Sequence, residues 1–350
     1  MTDTISLPAW ANELEHRPEV FPHQLDLVND NLLLVELSAA QVSAASFLDQ
    51  RVLQQGTRGT WVSWQMIAEK FEKVEANRPP NFIFHVGHCG STLVSRLLQQ
   101  MDKTTSLREP LPLRVLAQDV ADAQEGRSFL SPQEHAVRLQ VLSKMWCRGA
   151  EQTVVKATSI CTDLLPVIHG DDSVAKSVFV YNRAETHIAT LLAGENAVVD
   201  LRGFAKLRLQ RLQQKTSLKI PLHQMTVGQL AALSWLSETI SATRSLETYP
   251  GQIMALEFEA FLREPGDSLR RIVDFLGIAA DRGAIEKAVN SDVLQTYSKA
   301  PEHKYNAQTR SAILADSRTK FAKEIGEARA WLDDLAGRSE LVAASLQKFA

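Results

Sequence analysis

The stretch "FIFHVGHCGSTLVSRLL", residues 82–98, constrains this chain more than any other. Apolar residues run through Val86 as in a strand, and Gly87 and Gly90 then break the run. After Ser91 and Thr92, the residues Leu93, Val94, Leu97 and Leu98 recur at helical spacing. The glycines let the backbone turn tightly with its N–H groups inward. The helix start adds unpaired N–H groups and the positive end of a dipole, so the turn favours an anion. The nucleotide-triphosphate signature G-x-x-x-x-G-K-[ST] requires a lysine at this point. Here Gly90 is followed directly by Ser91, and no lysine comes before Lys103.

Four apolar runs, "NFIFHV", "TVVKA", "KSVFVYN" and "QIMALEF", read as strands. Helical patterns separate them, which predicts βαβ units and a parallel sheet in a three-layer α/β domain. Helix starts are marked by Ser131-Pro132 with Glu134, and by Thr226 with Gln229, both in capping-box spacing. Leu269, Ile272, Val273 and Leu276 share one helical face that Gly277 terminates. Upstream, "NLLLVEL" and "GTWVSWQMIAEKF" form an N-terminal region that "ANRPP" closes, because consecutive prolines oppose helix.

At 350 residues the chain has ample material for a core, and its net charge of -3 gives no global nucleic-acid or polybasic membrane surface. Cys89, Cys147 and Cys161 lack metal spacing and cannot make a disulfide framework. No apolar run is long enough to span a bilayer, and "MTDTISLPAW" lacks a signal pattern, so a soluble cytoplasmic protein without a membrane span is expected. None of the apolar strands ends in the aspartate that would hold magnesium, whereas Arg183 sits just past "SVFVYN", where open α/β sheets bind ligands.

The opening stretch resembles the 5′-phosphosulfate loop of the sulfotransferase family, a strand followed by Pro-Lys/Arg-Ser-Gly-Thr-Thr and an apolar helix. In that register Gly87 stands for the proline, His88 for the basic residue, and Cys89, Gly90, Ser91 and Thr92 for the rest. "VYNRAETHIATLL" is similar to the family's 3′-phosphate segment, and "LEFEAFLREPGDSLRRIVDFLGI" to its Tyr-Glu-Asp-Leu … Pro … Phe-Leu-Gly segment. The resemblance covers most of residues 81–278 and implies a three-layer P-loop NTPase-like fold with a mainly parallel central sheet. The expected organisation is an N-terminal extension at 1–78, the core at 79–296 and a helical C-terminal cap at 297–350.

The resemblance further implies sulfuryl transfer from 3′-phosphoadenosine-5′-phosphosulfate to a hydroxyl on a small molecule or peptide, with no metal. Glu109, in "SLREPLPLR", becomes the candidate base and Lys156, in "TVVKATS", the candidate stabiliser of the leaving oxygen, the two facing each other across the site. Against this stands a solvated Arg108–Glu109 pair. Arg183 and Thr190 are candidate ligands of the 3′-phosphate. Thr190 lies one position closer to the arginine than the family serine, and Thr186 is the alternative hydroxyl. His88 departs from a permanently charged residue, and stands as next candidate for the base. The family's C-terminal Arg-Lys-Gly element is absent, and Lys299, Lys304 and Arg310 are either its substitute or a solvated loop. A small-molecule kinase and a non-catalytic nucleotide-binding module are the competing readings. His85 reads as a core histidine, and Trp61, Trp64 and Trp235 as helix packing.

Overall fold

The computed structural model describes residues 7–75, 78–170, 173–194, 197–297, 300–304 and 306–350, with the side chains of 297 and 300–304 outside the description. The strands are β1 (Val20–Asp26), β2 (Asn31–Glu36), β3 (Gly59–Ser63), β4 (Asn81–His85), β5 (Thr104–Arg108), β6 (Gln152–Lys156), β7 (Ser177–Tyr181), β8 (Ile253–Glu257), β9 (Thr296–Tyr297) and β10 (Ala300–Lys304). Five of them form one sheet in the order β5-β6-β4-β7-β8, every pair parallel. Phe82, Ile83 and Phe84 of β4 are buried at its centre, as a strand covered on both faces requires.

Register fixes what meets at the carboxyl edge. Lys156 is level with Arg108 on one side and Ile83 on the other, and Tyr181 is level with Glu257. The chain leaves β4 between β6 and β7, where the strand order reverses, which is where such sheets open a crevice. The predicted caps form as read: Ser131 with Glu134 and Thr226 with Gln229 are complete capping boxes, and Gly277 ends its helix at φ 61°. Leu269, Ile272, Val273 and Leu276 are all buried.

The N-terminal strands make a separate antiparallel sheet, β1-β2-β3. Arg148 holds the segment leading into it and its first residue, through the carbonyls of Leu14, Arg17 and Val20, and Arg138 holds the β1–β2 turn through Asp30 at 2.6 Å. Arg108 is wholly buried, which removes the solvated-pair reading. Its guanidinium donates to the carbonyls of Val42, Ser43 and Ala45 and to Gln99, and its own carbonyl accepts from Leu48 N–H. A buried cation without such acceptors would be strongly destabilising. Trp61 is a second departure: it lies on β3, 44% exposed, and not in a helix.

The region expected as a helical cap opens with strand β10 and continues as helices Ala307–Lys320, Ala322–Arg338 and Glu340–Phe349. They pack on the long buried helix Val227–Thr248 and on the β7 side, where Phe349 meets the Tyr181 ring edge-on at 4.8 Å. Among the described residues no helix is long and apolar enough to cross a membrane.

Candidate active site

The loop after β4 is built on three left-handed residues: Gly87 at φ 85°, His88 at φ 50° and Gly90 at φ 74°. Glycine reaches this region without strain, and histidine is among the residues that enter it more readily than most. Gly90 is also excluded from carrying a side chain by its neighbour. A Cβ there would lie 2.0 Å from the ring of Phe258, which packs against the turn. Helix Ser91–Leu98 starts directly after Gly90.

Side chains beneath the loop hold it from both neighbouring strands. Gly87 N–H donates to His85 Nδ1 at 2.9 Å, which leaves the proton on Nε2, and Nε2 donates to Ala157 O at 3.0 Å. Cys89 Sγ donates to Val180 O at 3.1 Å, and Asn182 Nδ2 to His88 O at 3.3 Å. Trp235, fully buried, donates to Asn182 O at 2.9 Å. His85 and Trp235 are thus core residues as read, with the added task of shaping the loop. His187, buried behind His88, has its pKa pushed well below the usual value by burial first and by the nearby His88 second.

His88, Cys89, Gly90, Ser91 and Thr92 line a cavity of about 130 Å³, closed by Phe258 and Arg310. Thr92 Oγ1 is buried there with no hydrogen-bond partner among the described residues. Buried hydroxyls rarely stay unpaired, so this one is available to a ligand at the helix start. Arg310, buried, donates through Nε to Glu259 at 2.9 Å and lies over the Phe258 ring. Of the three basic residues read as a clamp, Arg310 therefore reaches the loop. Lys299 lies outside the described residues, and so does the side chain of Lys304.

On the β6 side, Lys156 and Glu109 do not face each other across a gap. They are in direct contact as an ion pair, the lysine side chain 1% exposed and the carboxylate 15%. Glu109 stands at φ 57°, and its N–H donates to Lys156 O at 2.7 Å, so backbone and side chain are fixed together. Neither lines the loop cavity. Behind them Arg211 bridges Asp163 and Glu238, and Lys215 joins Asp163 at 3.0 Å. Burial raises the Asp163 carboxyl, but Arg211 and Lys215 outweigh it and hold the group well below the usual range. This network steadies the segment that follows Lys156.

On the β7 side, Arg183 immediately precedes helix Ala184–Ala193 and pairs with Glu257 at 3.1 Å. It lines a second, wider cavity of about 560 Å³ with Thr186 and Arg318, whereas Thr190 lines the loop cavity. The structure therefore separates the two residues read as one subsite, and places the alternative hydroxyl, Thr186, with the arginine. The sequence reading missed Phe258 and Arg318. Phe258 follows β8 in "LEFEAF", a signal that was present; Arg318 sits in no motif.

Residues 206–349 match the family model described as the sulfotransferase domain. The loop, Glu109, Lys156 and Arg183 precede the matched stretch. No curated protein matches the chain. Similar solved structures include a sulfotransferase from Mycobacterium avium, at 12% identity and TM-score 0.41, covering 72% of this chain and 79% of that one. A sulfotransferase from Alicyclobacillus acidocaldarius is 17% identical with TM-score 0.37, covering 73% of this chain and 95% of its own. A mouse sulfotransferase complexed with PAP is 11% identical with TM-score 0.43, covering 83% and 97%.

Proposed function

We propose, supported by the match of residues 206–349 to the sulfotransferase-domain model, that the site moves a sulfuryl group from 3′-phosphoadenosine-5′-phosphosulfate to a hydroxyl acceptor. The observation that carries this reading is the arrangement of three neighbouring strand ends. β4 carries an anion-binding turn without a triphosphate lysine, β6 a lysine paired with the carboxylate that follows β5, and β7 an arginine. A 5′-phosphosulfate has no γ-phosphate, so the missing lysine removes nothing it needs.

The loop N–H groups and Thr92 Oγ1 bind the 5′-phosphosulfate end, and Arg183 and Thr186 take the 3′-phosphate. The acceptor oxygen attacks sulfur while the bond from sulfur to the bridging phosphate oxygen breaks. Glu109 takes the acceptor's proton, and the electron pair of the broken bond stays on the departing bisphosphate. Direct contact between Lys156 and Glu109 gives these roles an order. Once Glu109 is protonated it no longer holds the ammonium, which turns toward the bridging oxygen as charge develops there.

Calorimetry tests the reading. Adenosine 3′,5′-bisphosphate is expected to bind and ATP–magnesium not to. Gly90→Val should abolish bisphosphate binding, since its Cβ displaces Phe258 and strains the turn. Tight ATP–magnesium binding without bisphosphate binding would favour a kinase, and bisphosphate binding with no transfer to any of a panel of acceptors would favour a non-catalytic module.

A further inference from the structure

The cavity on the β7 side presents a pattern that the donor reading does not by itself explain. Two of the arginines that line it, Arg183 and Arg318, are each tied to a carboxylate of the same chain. Arg183 Nε donates to Glu257 at 3.1 Å. Arg318, on helix Ala307–Lys320, donates through Nε to Glu185 at 3.2 Å and through Nη2 to Thr186 Oγ1 at 3.0 Å. The other oxygen of Glu185 accepts from Arg329 at 2.7 Å. Arg183 and Arg318 thus reach one cavity from two directions, the first from the edge of the central sheet and the second from the C-terminal helices.

We propose that Arg318 is a phosphate-binding residue of this cavity, and that Glu257 and Glu185 hold the two guanidinium groups until a nucleotide phosphate displaces them. This rests on the donor reading of the loop. Exposed ion pairs of this kind contribute little to stability, about 0–1 kcal/mol, so a dianion can exchange for the carboxylates readily. A guanidinium offers two parallel N–H donors to a phosphate, and Arg318 already keeps Nη2 on Thr186, one helical turn from Arg183. The exchange is also directional. Removing an internal carboxylate strengthens phosphate binding, and removing the arginine weakens it. A merely structural pair would show neither effect on ligand choice.

The experiment measures adenosine 3′,5′-bisphosphate and adenosine 5′-monophosphate binding to the full chain by calorimetry. Arg318→Ala is expected to weaken the bisphosphate about tenfold, leave the monophosphate within about twofold, and be only partly rescued by Arg318→Lys, which keeps the charge but not the paired donors. Glu257→Gln is expected to tighten the bisphosphate about threefold or more, because its competitor is gone. Thermal melts of each variant establish that the fold is retained, and Glu185→Gln, which frees Arg318 and is expected to tighten the bisphosphate likewise, carries the test if Arg318→Ala does not fold. A bisphosphate preference that survives Arg318→Ala, or a looser bisphosphate in Glu257→Gln, overturns the proposal while leaving the donor reading standing. A wild-type protein with no bisphosphate preference overturns the donor reading, and this proposal with it.

Discussion

Two cation–carboxylate pairs flank the same loop, and they differ in nearly everything except their chemistry. Lys156–Glu109, on the β6 side, is enclosed at 1% and 15% exposure and joined by a backbone hydrogen bond as well. Arg183–Glu257, on the β7 side, leaves the arginine 63% exposed at the rim of an open cavity. Enclosure sets what each pair can do. Charges held in a dry, fixed geometry act strongly on a reacting bond and are costly to separate. A pair at a wet rim is weak and exchangeable, which suits a group that must let ligand in and out. Under the proposed function, the loop sits between a side suited to chemistry and a side suited to binding.

The largest effect should come from the enclosed side. Glu109→Gln is expected to slow single-turnover sulfuryl transfer by about 10²–10⁴-fold with bisphosphate affinity nearly unchanged. Lys156→Ala should slow transfer comparably. It should also destabilise the fold by about 3–5 kcal/mol, because it leaves the partner carboxylate unpaired in a largely buried place. Rapid-quench transfer assays beside denaturant melts measure both. Wild-type transfer by Glu109→Gln would break the comparison and move the base to His88, which lines the loop cavity.

The rim side should give a smaller effect of a different kind. Arg183→Ala is expected to weaken adenosine 3′,5′-bisphosphate roughly ten- to hundredfold, since hydrogen bonds to charged groups contribute about 1.5–3 kcal/mol each. Adenosine 5′-monophosphate should change little, and the rate at saturating donor should hold. Equal losses for the two ligands would place Arg183 elsewhere.

How much of this was legible beforehand follows the same division. Four of the five strands of the parallel sheet, the capping boxes and the helix stop at Gly277 are local, so propensity and spacing announce them. The glycine turn was legible for the same reason. What required the fold were facts about partners distant in the chain: Phe258 on Gly90, Arg318 on Thr186, Arg108 on the carbonyls near residue 43. No spacing rule encodes these, because each joins separate elements. Thr186 and Thr190 are one helical turn apart, yet line different cavities. The sequence offered both as candidate hydroxyls, and packing sets Thr186 beside Arg183 and Thr190 beside the loop. The family match at 206–349 also excludes the loop, whose His88 departs from the family's basic residue.

His85 gives the last and smallest test, because it belongs to both sides at once. Its Nδ1 accepts from Gly87 at the mouth of the loop, and its Nε2 donates to Ala157 O, next to Lys156. His85→Ala leaves a buried N–H and a buried carbonyl without this partner, at about 1–3 kcal/mol for each. The fold has other anchors for the loop, through Cys89 and Asn182, so the turn should loosen without being lost. A looser turn binds the 5′-phosphosulfate less well, and it also misplaces sulfur relative to the Lys156–Glu109 pair. Bisphosphate affinity and single-turnover rate should therefore fall together, each by about three- to tenfold. This joint loss distinguishes a positioning residue from the two flanks, where one quantity moves without the other. A fall in rate alone would mean that His85 serves only the β6 side, and a fall in affinity alone that it serves only the loop. In either case the two sides would be mechanically independent, and the division between chemistry and binding would be sharper than the hydrogen bonds beneath the loop imply.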